Sequence, residues 1–219
     1  MQPSTFLVLG ATGGTGGHFT TKALADGHRV RALVRTPGKL DAKNGMLDIR
    51  HGSITDAIDT DTLVRGVDYV VVMLGDKELQ QTHKINSAFM QRLVPAMRRQ
   101  GIKRILYQAG GLSRPHGGRL APSLWIIRNT VARSFIGQHR DNEAVMEYLA
   151  TEAHDLEWIV HRAGIFSDGA SKGVLQRSVT RFSVATFRDC ADYAYRTVAD
   201  ASAVHTADFS AYVPLSKAS

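Results

Sequence analysis

A glycine-rich segment near the N-terminus carries the most specific chemistry in this sequence. It reads Gly10-Ala11-Thr12-Gly13-Gly14-Thr15-Gly16 and follows an apolar run that ends at Leu9. Glycines in such a turn let the backbone approach a pyrophosphate and let the following helix pack closely on the strand. The first amides of that helix, with the helix dipole, then face the phosphates. The segment predicts a dinucleotide site whose binding residues are Gly10, Thr12, Gly13, Gly14, Thr15 and Gly16.

The end of the second predicted strand carries a cation where NAD-preferring proteins carry an acid. Such proteins place Asp or Glu about 20 residues after the glycines, where it binds the ribose 2′-hydroxyl. In this sequence the position is Arg35, and Lys39 follows it. A guanidinium pairs with a phosphate and stacks on adenine, whereas a carboxylate would repel a 2′-phosphate. These two residues predict NADP(H) as the cofactor.

Three further segments end predicted strands at the same edge of the sheet, which is where ligands bind in open α/β sheets. Their placement by topology predicts adenine contacts from Ser53 and Ile54, ribose and pyrophosphate contacts from Leu74 and Gly75, and nicotinamide contacts from Ala109 and Gly110.

Candidate catalytic residues are those expected near the nicotinamide, which itself carries the reactivity for hydride transfer. They are Ser113 and His116 on a glycine-rich loop, Asn142 on a predicted helix, and His161 at the end of a predicted strand. A solvated His116 and a structural, hydrogen-bonded His161 are the alternatives. Since the sequence has one cysteine and no HExxH motif, no metal site is predicted.

The elements that must position these residues alternate along the chain. Strands are predicted at 5–9, 29–34, 46–49, 68–74, 103–107, 156–160, 181–184 and 204–209, with helices at 123–136, 139–152 and 189–199 among those between them. Such alternation favours βαβ crossovers and a parallel sheet. The prediction is an α/β protein with a single Rossmann-like doubly wound parallel sheet flanked by helices. One domain spans residues 1–219, with a substrate loop at about 109–123.

The distribution of charge limits the range of partners. The net charge is +7, and residues 79–140 contain eleven Lys and Arg but no Asp or Glu. A solvated surface, an anionic small molecule and nucleic acid are the three interpretations; nucleic acid is the weakest, because no aromatic residues interleave with the cations. We therefore expect a small-molecule substrate, with an anionic aromatic one as a hypothesis in which Arg114 and Arg119 bind its charge.

No membrane partner is expected, because the longest apolar run is too short to cross a bilayer. The N-terminus shows no basic signal region, and the lone Cys190 suits a reducing compartment. A cytoplasmic location is therefore predicted.

Taken together, these motifs make the chain similar to the atypical short-chain dehydrogenase/reductase proteins grouped as NAD(P)H-binding or NmrA-like. The closest likeness is to the small biliverdin-IXβ/flavin reductase type. The likeness covers nearly the whole chain and rests on the segments 10–16, 33–35 with Lys39, 71–75, 101–105, 142–146 and 158–164. The Tyr-x-x-x-Lys pair of most short-chain dehydrogenases is absent, and a histidine of the reductase type falls at Asn142.

The resemblance implies an NADPH-dependent reductase that transfers hydride to a small aromatic, quinone-like or flavin-like acceptor. Two alternatives stay open at this point. One is an NmrA-like redox sensor that binds NADP(H) without turnover, and the other is an isomerase or ring-opening enzyme of a biosynthetic pathway on the same fold.

Overall fold

The computed structural model describes residues 2–40 and 45–213, and in these ranges the chain forms nine strands, seven α-helices and two 3₁₀ helices, Arg133–Phe135 and Ala201–Ala203. The strands are β1 (Thr5–Leu9), β2 (Arg29–Val34), β3 (Leu47–His51), β4 (Tyr69–Val72), β5 (Arg104–Gly110), β6 (Glu157–Ser167), β7 (Leu175–Ser178), β8 (Val184–Thr186) and β9 (Thr206–Tyr212). The helices are α1 (Gly14–Ala25), α2 (Thr60–Val64), α3 (Leu79–Thr82), α4 (Ile85–Arg99), α5 (Pro122–Asn129), α6 (Ile136–Glu152) and α7 (Phe187–Thr197).

The strands join one sheet in the order β3-β2-β1-β4-β5-β6-β9-β7, with β8 paired to β6. Every pair in it is parallel except β7 with β9, which is antiparallel. The strand order reverses between β1 and β4, and open α/β sheets bind their ligands at such a point. The predicted fold is confirmed: the chain is a Rossmann-like α/β protein.

Apolar side chains cover both faces of the sheet. Along β1, Leu7 and Leu9 pack into one core with α4 and α6, whereas Phe6 and Val8 pack into the other with α1 and α7. All four side chains are fully buried, and such burial stabilises the fold by about 1.5–3 kcal/mol per large apolar residue. The two cores fix the carboxyl ends of the strands, where the candidate ligand-binding residues lie.

The structure corrects several predicted boundaries. β5 continues to Gly110 because β6 runs beside it and pairs Gly110 with Ala163, and α5 already begins at Pro122. The predicted substrate loop at about 109–123 is therefore shorter, spanning 111–121. The short helices α2 and α3 and the strand β7 were not predicted, and the strand expected at 181–184 lies at Val184–Thr186.

None of the helices in the described ranges has both the length and the hydropathy that a bilayer crossing requires.

Candidate functional site

The glycine turn between β1 and α1 has a backbone that tolerates no side chain at two positions. Gly10 has a φ of +94°, and a Cβ built on it would lie 2.2 Å from the Met73 carbonyl oxygen. A Cβ on Gly16 would lie 2.1 Å from the Gly10 carbonyl oxygen. The turn therefore presses β1, α1 and the end of β4 together. No side chain caps the N-terminus of α1, so its first amides are available to an anion.

A cavity of about 240 Å³, here called the Arg35 cavity, opens beside this turn at the strand ends. The residues lining it include nine of the predicted cofactor contacts: Gly10, Thr12, Gly13, Arg35, Lys39, Ser53, Ile54, Leu74 and Gly75. Segments far apart in the sequence thus meet where the topology predicted.

Arg35 reaches a carboxylate in the same cavity. Its Nη1 donates to Asp76 Oδ2 at 2.9 Å, while 62% of the Arg35 side chain stays exposed. Asp76 also accepts a hydrogen bond from the Leu79 amide, and these bonds, first from Leu79 and then from Arg35, lower the pKa of Asp76. The cavity thus holds a cation that is already paired yet accessible to an anion.

A second cavity, of about 360 Å³ and called the His139 cavity here, adjoins the first and shares Gly13, Met73, Leu74 and Gly75 with it. Of the predicted residues, Gly14, Thr15, Ala109, Gly110 and Asn142 also line it. Its other lining residues include Gln108, Gln138, His139, Ala163 and Phe187. All five predicted segments of the cofactor site therefore border one or both cavities, although Gly16 itself lines neither.

A buried polar network forms one wall of the His139 cavity. Asn142 Nδ2 donates to Ser113 Oγ at 3.3 Å, and Tyr107 donates its hydroxyl to Asn142 Oδ1 at 2.5 Å. Ser113 Oγ lies 3.3 Å from His139 Nδ1. Ser113 is fully buried and lines neither cavity, so it supports His139 and Asn142 from behind.

His139 is the titratable group of this wall. Burial, and then the positive charge of Arg128, lower the pKa of His139 to about 4, so the ring is neutral at pH 7. Its Nε2 is buried and finds no hydrogen-bond partner among the residues described. The sequence interpretation missed His139, although it lies three residues before Asn142 and hence on the same helix face.

Asp141 ties the helices around the two cavities together. Its buried carboxylate accepts hydrogen bonds from the Asn86 and Ser87 amides at the start of α4, and from Gln80 Nε2 on α3. Gln80 Oε1 in turn accepts from the Asp76 amide. This chain of bonds fixes α3, α4 and α6 against one another between the Arg35 and His139 cavities.

Two more predicted catalytic residues, like Ser113, line neither cavity. His116 is exposed on the loop. His161 is buried, its Nε2 lies 2.8 Å from Ser210 Oγ, and its ring packs against Tyr193. Burial lowers the pKa of His161 to about 3. The structure thus favours the alternatives for both: a solvated His116 and a structural His161.

The loop at 111–121 is held by ion pairs. Glu143 of α6 accepts hydrogen bonds from the backbone and guanidinium of Arg114, and it also pairs with Arg128. Burial alone would raise the pKa of Glu143, but the bonds from Arg128 and Arg114 lower it to about 2. Arg162 adds a third tie, because its Nε donates to the Ser113 carbonyl at 3.0 Å. Arg114, which the sequence suggested as a substrate contact, fixes the loop through Glu143 while 57% of its side chain stays exposed, and the substrate contact stays a prediction.

Comparison with known proteins gives one family and many similar folds. A family model described as NAD(P)H-binding matches residues 10–200. A short-chain dehydrogenase/reductase of Veillonella parvula, solved in complex with NADP, is 15% identical with a TM-score of 0.72, covering 96% of this chain and 95% of its own. ChuY of Escherichia coli O157:H7, described as an anaerobillin reductase, is 17% identical with a TM-score of 0.75, covering 97% and 98%.

A curated relative matches over a shorter stretch. Sterol demethylase protein B of Methylococcus capsulatus is 28% identical over 109 residues, which are 47% of this chain and 33% of that protein. The matched region thus spans about a third of the length of that relative.

Proposed function

Because the chain belongs to the NAD(P)H-binding family, we propose that it is an NADPH-dependent reductase that transfers hydride to a small, flat aromatic, quinone-like or flavin-like acceptor. The observation that carries this proposal is the joining of the Arg35 cavity to the His139 cavity through one glycine turn. One cavity suits the phosphorylated adenosine, and the adjoining one suits the nicotinamide with an acceptor beside it.

The residues of the Arg35 cavity fit NADPH. Cβ atoms at Gly10 and Gly16 would close the turn that a pyrophosphate needs, and Arg35 and Lys39 supply cations at the end of β2. Arg35 would pair with the 2′-phosphate, while Ser53 and Ile54 would border the adenine. The preference for NADPH over NADH rests on Arg35 standing where an acid would bind a free 2′-hydroxyl.

The residues of the His139 cavity suit orientation of an acceptor better than proton donation by a charged acid. When bound there, NADPH supplies the hydride. When the Ser113 hydroxyl donates to His139 Nδ1, the ring proton is on Nε2, and this N–H would donate a hydrogen bond to an acceptor oxygen without transferring its proton. Since the pKa of His139 is about 4, the ring polarises that oxygen as a neutral donor, and water supplies the proton.

One observation favours a second candidate function, an NADP(H)-binding sensor without turnover. Asn142 in the wall of the His139 cavity is a neutral group that already bonds to two neutral groups behind it, Tyr107 and Ser113. The sequence also lacks the Tyr-x-x-x-Lys pair. Such a site holds a dinucleotide without requiring a reaction.

Turnover of NADPH with a panel of quinones, flavins and aromatic ketones distinguishes the two functions. We expect saturable NADPH binding and oxidation with at least one class of acceptor. His139→Gln should lower kcat about tenfold, the loss of roughly one hydrogen bond, with NADPH affinity unchanged. His116→Ala is the matched control and should change neither. Tight binding without turnover on any acceptor would favour the sensor, and absence of binding would refute both functions.

A further inference from the structure

Helix α5 has its polar and apolar faces reversed relative to a normal surface helix. Of its residues, only Arg128 is buried, and it bonds inward to the Leu112 carbonyl and to Glu143. Trp125 and Ile126 are 57% and 55% exposed. A surface helix usually buries its apolar side chains and exposes its charges. In α5 the Arg128 guanidinium attaches the helix to the rest of the protein, while the large apolar side chains face solvent.

Exposed apolar residues continue beyond the helix, and together they are called the α5 surface here. It consists of Trp125, Ile126, Ile127, Val131 and Phe135. Val131 is 84% exposed, so the side chains of this surface protrude. Large exposed apolar side chains grouped this closely along a chain mark a site that another molecule covers.

Three cations lie near the α5 surface, Arg119 and Arg133 by their positions in the chain and Lys77 by a contact. Arg119 and Arg133 are exposed, and neither forms an ion pair with any residue in the described ranges. The Lys77 ammonium lies 4.6 Å from the centre of the Phe135 ring. Residues 79–140 contain no Asp or Glu, so this part of the chain offers no acid to balance them. The charge is complementary to an anionic partner.

A second copy of this chain is an unfavourable partner for the α5 surface, because both surfaces would be positively charged. In a two-fold dimer the same patch meets itself, and Arg119 and Arg133 would then face their own copies. A protruding Trp beside Ile, Val and basic residues instead matches the composition of elements that lie in the interface of a bilayer. Shallow insertion needs no spanning helix, so the length of the apolar runs in the sequence does not test it.

We propose that the α5 surface docks the protein on membranes rich in anionic lipid, with Trp125 and Ile126 inserted between headgroups and Arg119, Arg133 and Lys77 facing lipid phosphates. This proposal differs from the sequence expectation of no membrane partner, which considered only a segment that crosses the bilayer. It does not depend on the proposed reductase activity, since no residue of the α5 surface lines the Arg35 cavity or the His139 cavity.

Sedimentation of the whole chain with vesicles tests the proposal. Vesicles of phosphatidylcholine alone are compared with vesicles containing roughly a third phosphatidylglycerol, at low and high salt. We expect binding to the anionic vesicles that weakens with salt, and a blue shift of tryptophan emission that Trp125→Phe removes. The double variant Trp125→Ser with Ile126→Ser should weaken binding at least about tenfold.

Val179→Ser is the matched control, because Val179 is 73% exposed but lies outside the α5 surface. It should bind vesicles like the unaltered chain, and all variants should keep the same circular dichroism and NADPH affinity. Arg133→Glu should weaken binding to anionic vesicles only. The proposal fails if the unaltered chain does not sediment with anionic vesicles at low salt. It also fails if the chain is a dimer that the double variant dissociates, since a second copy then covers the surface.

Discussion

The Arg35 cavity and the His139 cavity adjoin along the same edge of the sheet, but different kinds of chemical groups line them. The Arg35 cavity uses backbone and charge: a glycine turn, an exposed guanidinium and the carboxylate of Asp76. The His139 cavity uses neutral side chains that are buried and bonded to one another, with His139 itself only 6% exposed. The contrast indicates that one cavity provides affinity for a charged ligand and the other provides orientation in a desolvated space.

The largest effect should come from filling the backbone space that the Arg35 cavity requires. Gly16→Ala places a methyl group 2.1 Å from the Gly10 carbonyl, so the turn must open. We expect NADPH affinity to fall about a hundredfold, measured by titration of the purified variant, with some loss of stability. A Cβ on Gly17, one residue later in α1, would meet only Ala11 oxygen at an ordinary 3.5 Å. Gly17→Ala should therefore bind NADPH normally and gain up to about 1 kcal/mol of stability.

The difference between the cavities also explains what the sequence could predict. Gly10 and Arg35 were identifiable because a left-handed turn and a phosphate partner each admit few residue types. The strand order that brings Ser53 and Leu74 to Gly10 follows from the alternation of elements. The contacts that were predicted from topology alone therefore line the cavities as well: Ser53, Ile54, Leu74, Gly75, Ala109 and Gly110.

The His139 cavity was less predictable because its members depend on tertiary contacts. His139 looks like an ordinary polar residue on a helix, and nothing local shows that Ser113 will lie against it from 26 positions away. The same holds for Arg114, whose partner Glu143 lies 29 positions away on α6. A cation on a glycine-rich loop suggested a substrate contact, whereas the fold uses it to hold the loop.

Removing the charge of Glu143 should affect the His139 cavity and the loop beside it, but not the Arg35 cavity. With Glu143→Gln, Arg114 and the buried Arg128 lose their carboxylate, and we expect the free energy of unfolding at pH 7 to fall by about 2 to 3 kcal/mol. Because folding lowers the pKa of Glu143 from 4.5 to about 2, its contribution is complete above pH 4.5 and is lost as the pH falls toward 2. Denaturant unfolding across this range should show the difference between the unaltered and variant chains shrinking in acid.

Glu147→Gln is the control for that measurement, since Glu147 is exposed one turn further along α6 and should behave like the unaltered chain. Turnover by Glu143→Gln should fall because the loop carrying Ser113 loosens, while the Kd for NADPH stays the same. An equal loss of turnover and of NADPH affinity would mean that the two cavities are not independent.

A substitution at Arg35 should conversely change cofactor binding in the Arg35 cavity and leave the His139 cavity unaffected. Arg35→Ala should weaken NADPH binding about thirtyfold, close to the 1.5–3 kcal/mol of a hydrogen-bonded charge, and should leave NADH binding nearly unchanged. The ratio of the two Kd values is the measurement. Arg50→Ala removes a cation on the neighbouring strand β3 that lines neither ligand cavity, and it should leave the ratio intact. If both coenzymes weakened equally under Arg35→Ala, the guanidinium would contact something they share, and the assigned preference for NADPH would be wrong.

The smallest expected effect concerns Asp76, whose carboxylate competes with a phosphate for the same guanidinium. Asp76→Asn keeps an oxygen for the Leu79 amide but removes the charge that pairs with Arg35. An ion pair this exposed is worth at most about 1 kcal/mol, so freeing Arg35 should tighten NADPH binding only about threefold. The gain should vanish in the Arg35→Ala background, because there is then no guanidinium to release. If Asp76→Asn instead weakened the binding of both NADPH and NADH, Asp76 would bind a group common to the two coenzymes. The charges in the Arg35 cavity would then contact more of the ligand than its 2′-phosphate.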